Sequence, residues 1–148
     1  MKDQITSLIS FYVDKEVFAF DTLKVRNILE YGKMTWVPNT KDYVLGVMNL
    51  HGNIFPVADL RVMMETSKVE NTADTSIIVV SNDGKTDSLI GIVVDGVKEV
   101  FDIDGLEIKE SVYHGNSGIV NSFLGTIHKN EEFVHIIDLD ETVLEIEK

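Results

Sequence analysis

The chain has 148 residues, 44% of them hydrophobic and 26% charged, which suits one folded domain able to bury its own core. With 25 acidic against 13 basic residues its formal charge is −12, and no basic cluster is present to neutralise phosphate, so nucleic acid is not expected as a partner and direct membrane binding is disfavoured. The absence of cysteine removes disulfides, thiolate catalysis and Cys-based metal sites, and no apolar run approaches the roughly 18 residues of a membrane span. Met1-Lys2-Asp3-Gln4 carries no signal-peptide pattern, and the expected location is the cytoplasm.

Along the chain, Ile9, Phe11 and Val13 alternate with Ser10 and Tyr12 in the period of a strand. Asp14-Lys15-Glu16 turns the chain into Val17-Phe18-Ala19-Phe20, completing an N-terminal hairpin. Asp21-Thr22 offers an N-cap, and Val25, Ile28 and Leu29 share the spacing of one helical face, so residues 22–29 are read as a short helix. Met34 to Val37 is a short strand ended by Pro38, and its Trp36 suits either a core or an interface. The block from Gly46 to Arg61 places a tight polar turn, His51-Gly52-Asn53, between two apolar runs. Pro56 lacks a backbone donor, so its strand is expected at a sheet edge or at a bulge.

From Met63 to Thr75 the apolar periodicity is lost, and a subdomain boundary is placed near 63–75 within a single 1–148 domain. Ile77-Ile78-Val79-Val80 reads as a strand buried on both faces, and Asn82-Asp83-Gly84-Lys85 as a turn. Leu89 to Val94 and Val97 to Phe101 follow as strands around Asp95-Gly96. Ile119 to His128 and Phe133 to Ile137 form a further pair across Lys129-Asn130-Glu131-Glu132, and Glu141–Glu147 reads as a terminal helix. About nine or ten short strands without long helices between them give an all-β fold and exclude a doubly wound α/β architecture.

No catalytic constellation emerges. Asp74-Thr75-Ser76 has the outline of an aspartic-protease turn, yet its third residue is Ser and the apolar run follows it instead of preceding it. His51, His114, His128 and His135 lack ligand spacing; His128 and His135 are expected as solvated neighbours across a turn. Asp102-Ile103-Asp104-Gly105 has its glycine in the wrong place for a calcium loop. Gly115-Asn116-Ser117-Gly118 reads as a plain loop, and neither a phosphate-binding glycine loop nor a nucleophile elbow is present. No cofactor or metal is expected.

The block Gly46-Val47-Met48-Asn49-Leu50-His51-Gly52-Asn53-Ile54-Phe55-Pro56-Val57-Ala58-Asp59-Leu60-Arg61 resembles the hallmark of the chemotaxis coupling-protein (CheW) family. Further segments resemble it in family order: Phe18 to Val25, Thr35 to Thr40, Tyr43 to Gly46, Leu89 to Val100, and Ile136 to Asp140. The resemblance implies two packed five-stranded SH3-like barrels with short helices. It also implies a non-catalytic adaptor that bridges the cytoplasmic tip of methyl-accepting chemoreceptors, at membrane-bound arrays, to the regulatory domain of the histidine kinase CheA. The receptor tip is a helical hairpin, so helix-in-groove binding is expected.

Carried over by position, Val25, Asn27, Leu50 and His51 would lie at or near the receptor groove, while the kinase-binding surface stays unassigned. Two positions depart from the family. His51 stands where arginine is usual, and Asn27 where glutamate is common, which suggests a charge pair replaced by a neutral polar pair in mutual contact. The alternatives are a small β-barrel that binds a ligand, or the coupling-like half of a CheW–receiver fusion; the chain's end soon after the last strand speaks against the fusion.

Overall fold

The alternating patterns become eleven strands among the described residues, which in the computed structural model are 5–32, 34–38, 41–66, 69–81, 88–113 and 120–147. In chain order they are β1 (Ser7–Val13), β2 (Glu16–Asp21), β3 (Val25–Glu30), β4 (Thr35–Trp36), β5 (Val44–Leu50) and β6 (Asn53–Asp59), then β7 (Ser76–Ser81), β8 (Leu89–Val94), β9 (Gly96–Asp102), β10 (Phe123–Lys129) and β11 (Glu132–Ile137). Helix α1 (Leu60–Met63) follows β6, and α2 (Leu139–Glu147) follows β11. The expected turn at 82–85, the loop at 115–118 and His114 lie outside the described residues.

Two sheets result, of five and six strands, with orders β10-β11-β2-β1-β9 and β3-β7-β8-β6-β5-β4. The resemblance implied five strands in each, and neither sheet closes on itself as a continuous ladder. The five-stranded sheet draws strands from both ends of the chain, and β2 and β11 meet in parallel at Val17–Ala19 and Val134–Ile136. The chain passes between sheets at Thr22–Lys24 and at Asp95. The boundary suggested near 63–75 falls in sequence between β6 and β7, which belong to the same sheet.

Most of these strands are apolar on both sides because each sheet serves two cores. The central core lies between the sheets and collects Phe11, Phe18 and Phe20 from one, and Ile78, Val80, Ile90 and Ile92 from the other. Val143 and Ile146 of α2 complete it. Alternate residues point away into a separate cluster on each sheet: Leu8, Val17, Ala19, Val134 and Ile136 on the five-stranded sheet, and Phe55, Val57, Ile77, Val79 and Val93 on the six-stranded one. Burial of this kind stabilises by roughly 25 cal/mol for each Å² of apolar surface withdrawn from water.

Residues 22–29 are not a helix. Only Thr22–Lys24 form a 3-10 turn, capped by the Asp21 carboxylate that accepts the Leu23 N–H at 3.0 Å, and the rest is β3. The register pairs Val25 with Val80 and Asn27 with Val79, leaving Arg26 as an extra residue. That bulge shifts the parity, so Val25 and Ile28 lie opposite Val80 and Ile78, both members of the central core. Two residues three apart on one side imitate a helical face. Pro56 is likewise not on an edge strand. It lies opposite Val47 of β5 and just before the stretch Val57–Asp59 that pairs with β8, so its missing donor breaks no pairing on that side.

The β10–β11 hairpin turns on Asn130 and Glu131, both with positive φ (52° and 64°), as a two-residue loop requires to follow the strand twist. Its histidines are not alike. His128 lies opposite Phe133 and is exposed, whereas His135 lies opposite Thr126 and is buried, contrary to the expectation that both are solvated neighbours. Burial holds the His135 imidazole below its ordinary range. Glu16 Oε2, 3.5 Å from Nε2, favours the charged form, but that carboxylate is 53% exposed and solvent weakens its pull.

A depressed folded-state pKa means that the unfolded chain takes up the proton first, so this contribution is present above the ordinary imidazole pKa and lost as pH falls through it. We predict that urea unfolding from about pH 7.5 to 5.5 shows a smaller loss of stability in His135→Gln than in the wild type. Equal slopes in the two proteins would contradict a neutral, buried imidazole.

Candidate interaction site

The hallmark block forms the β5–β6 hairpin and its exit. Leu50 pairs with Asn53, leaving His51 and Gly52 as a two-residue turn with φ of 54° and 89°. Asn49 steadies the turn by accepting the Gly52 N–H on Oδ1 at 2.9 Å. His51 therefore holds a left-handed conformation at an exposed tip, which His, Asn and Asp tolerate better than branched residues do. Gly46 is required for a different reason: a β-carbon there would collide with the Thr35 carbonyl, so β4 could not pack where it does. That strand presents Trp36, which is 58% exposed and makes an edge contact with Tyr31 at 6.5 Å between ring centroids. That exposure excludes the core role for the tryptophan.

The expected groove residues divide between two environments. Leu50 packs against the outer cluster of the six-stranded sheet, as do Leu29, Tyr31 and Met34, and these half-buried residues form its apolar rim. Asn27 is exposed and lies opposite Val79 of that same cluster. Val25 packs instead on the central core between the sheets. Asn27 and His51 are not register partners, and neither side chain forms a hydrogen bond or ion pair with the other among the described residues.

What the sequence reading passed over is the end of the block. Asp59 is the last residue of β6 and caps α1, accepting the Arg61 N–H at 3.0 Å. Arg61 is 1% exposed, and every guanidinium N–H finds an acceptor. Nε donates to Asp59 Oδ1 at 2.9 Å and Nη2 to Asp59 Oδ2 at 2.9 Å, a bidentate fork. Nη2 also donates to Asn71 Oδ1 at 2.8 Å, while Nη1 donates to the Glu70 carbonyl at 3.1 Å and to Asp95 Oδ1 at 3.2 Å. The other oxygen of Asp95 accepts the Asp14 N–H at 2.6 Å. One buried cation thus joins β6, the segment after α1, the corner between β8 and β9, and through Asp95 the β1–β2 turn of the other sheet. Burial alone would lower the guanidinium pKa, but the hydrogen bonds and charges of Asp59 and Asp95 raise it above the ordinary value. The available signal was an Asp and an Arg two apart at a strand end, which is weak without knowledge of their burial.

This assembly has no nucleophile beside a base and, among the described residues, no group of three or more potential metal ligands. No helix among them is long and apolar enough to cross a membrane. Its distinctive parts are an apolar rim, an exposed tryptophan and a polar hairpin tip, held on a frame fixed by buried charge.

The family model described as "CheW-like domain" matches residues 7–147. The chain is 37% identical over 99 residues to the chemotaxis protein CheW of Klebsiella aerogenes, covering 67% of this chain and 58% of that protein. It is 30% identical over 139 residues to CheW of Helicobacter pylori, covering 94% and 82%, and 32% identical over 132 residues to CheW of Bacillus subtilis, covering 88% and 82%. Among solved structures it is similar to the scaffolding protein TtCheW from Thermoanaerobacter tengcongensis, with a TM-score of 0.75, 26% identity, and coverage of 91% of this chain and 90% of that one.

Breaking a buried ion pair from one side leaves an uncompensated charge, at a typical cost of about 3–5 kcal/mol. We predict a loss of that size in urea unfolding for Arg61→Met, and the double variant Asp59→Leu/Arg61→Met should lose far less than the two single variants summed. A loss under about 1 kcal/mol for Arg61→Met, or strict additivity, would show that the network does not hold the frame.

Proposed function

Since the chain belongs to the CheW-like domain family and is a chemotaxis coupling adaptor, we propose that it joins the regulatory domain of the histidine kinase CheA to the cytoplasmic tip of a methyl-accepting chemoreceptor without catalysing a reaction. The observation that carries this reading is the family match over residues 7–147, which runs through both sheets. Linking two partners on one body raises the concentration of each near the other, and it couples their conformational equilibria if the two bound states differ in affinity.

For the receptor we assign the rim of the six-stranded sheet around Leu50, with His51 and Asn27 at its polar margin and Val25 supporting β3 from the core side. An apolar stripe of a helical hairpin would meet Leu50, and its polar flank would meet the hairpin tip. Histidine in place of the family's arginine offers one or two hydrogen-bond donors instead of five, so the contact here depends less on a fixed charge. The kinase domain is assigned to sheet edges away from this rim, where β9 and β10 are the outer strands of the five-stranded sheet. In this reading the protein works on the cytoplasmic side of receptor arrays, held there by its partners.

The test is calorimetric titration with a soluble receptor signalling fragment and, separately, with the kinase regulatory domain. His51→Asp keeps a residue that tolerates the turn conformation, and it should weaken receptor binding about tenfold while leaving kinase binding unchanged. Leu50→Ala should do likewise. Wild-type receptor affinity in both variants would remove the rim from the site, and binding of neither partner by the wild type would remove the adaptor assignment for these partners.

A further inference from the structure

On the five-stranded sheet, away from the rim assigned above, a cleft of about 550 Å³ opens beside the β1–β2 turn and the β10–β11 hairpin. Its walls are aromatic. His135 forms the floor, buried, with Tyr113 at 5.2 Å between ring centroids and Phe133 at 6.5 Å and near-parallel. Phe133 is 53% exposed, so its ring is open to a ligand in the cleft. Val17 and Val112 fill the gaps, and the rim carries Lys15, Glu16 and Glu132.

The polar groups are ordered by a short relay. Val112 N–H donates to Thr126 Oγ1 at 3.1 Å, and that hydroxyl lies 3.3 Å from His135 Nδ1. With the hydroxyl proton directed to Nδ1, the ring carries its own proton on Nε2, which faces Glu16 Oε2 at 3.5 Å. The two rim glutamates are then in different states. Glu132 is engaged by Lys98, whereas Glu16 faces only this imidazole, neutral while buried, so its charge has no cation paired with it among the described residues. Burial and the Glu16 charge both keep the Tyr113 phenol protonated, leaving an O–H donor and an uncharged ring.

We propose that this cleft binds a guanidinium group, stacked on the near-parallel Phe133 and His135 rings, flanked by Tyr113 and paired with the Glu16 carboxylate. Ring faces are negative and attract a cation, and a planar guanidinium can stack while its N–H fork meets one carboxylate. An anion would face the same ring quadrupoles and the Glu16 charge. The chain's net charge of −12 favours the approach of cations at long range. A guanidinium has two sources, a free arginine-like metabolite or an arginine side chain of a polypeptide. The inference does not rest on the receptor assignment, because it uses a different sheet and none of the residues given to the receptor.

The test is a ¹H–¹⁵N NMR titration of the full chain with three probes: free L-arginine, N-acetyl-arginine N-methylamide, and the capped citrulline analogue, which is close in shape but uncharged. Saturable shifts confined to Tyr113, Phe133, His135 and their neighbours are expected with at least one cationic probe, with citrulline about tenfold weaker or silent. Glu16→Gln and Phe133→Ala alter exposed side chains, so the fold should persist, and each should weaken binding about tenfold. Binding of the capped probe assigns the cleft to an arginine within a polypeptide, and binding of free arginine alone assigns it to a metabolite. Equal shifts from arginine and citrulline, binding unaffected by both substitutions, or no saturable shift in a folded protein would overturn the proposal.

Discussion

A guanidinium with no access to water is the constraint on which the rest of this structure depends. Such a group is tolerated only when each N–H has an acceptor, and the five acceptors of Arg61 come from Asp59, Glu70, Asn71 and Asp95. Meeting that requirement fixes where α1 starts, how the segment after it returns, and where the chain leaves β8. Because Asp95 also holds the Asp14 N–H, the same charge sets the position of the β1–β2 turn, and hence the relation between the two sheets. Among the described residues no buried side-chain N or O atom lacks a partner, so the network is closed.

Hydrophobic burial supplies the bulk of the stability but is indifferent to direction, whereas the ion network is directional. Strands apolar on both faces could slide or repack with little penalty, since a shifted register still buries valines and isoleucines. The β7–β8 pair, nearly all Ile, Val and Leu, is the clearest instance. A single geometry of charges beside such a pair penalises every alternative packing. The consequence for function is a body whose two sheets hold a fixed relation, so that surfaces on each can be presented to different partners at once.

Much of this was legible in the chain. Strand positions followed from alternation and β-branched runs, and the family resemblance rested on motifs spread through both sheets. The misreadings have physical causes. At β3 the bulge at Arg26 converted a period of two into a spacing of three, so Val25 and Ile28 imitated one face of a helix. At Pro56 the rule about missing donors held, but the strand satisfies it by pairing with β8 only beyond the proline. The mixed membership of the five-stranded sheet is non-local and leaves no mark on local pattern. Arg61 was visible as a motif residue, yet its importance lies in burial, which depends on Asn71 and Asp95, residues distant in sequence. His135 shows the converse, since its strand alternation gave no sign that Tyr113 and Phe133 would gather around it.

The adaptor account rests on one claim above others: that a single rigid body engages kinase and receptor together, through different surfaces. Sedimentation velocity on a mixture of this protein, the CheA regulatory domain and a soluble receptor signalling fragment measures it directly. The account predicts a ternary species, heavier than either binary complex, that forms at the same protein concentrations as the binary ones. Two binary complexes that displace each other, with no ternary boundary at any ratio, would contradict it.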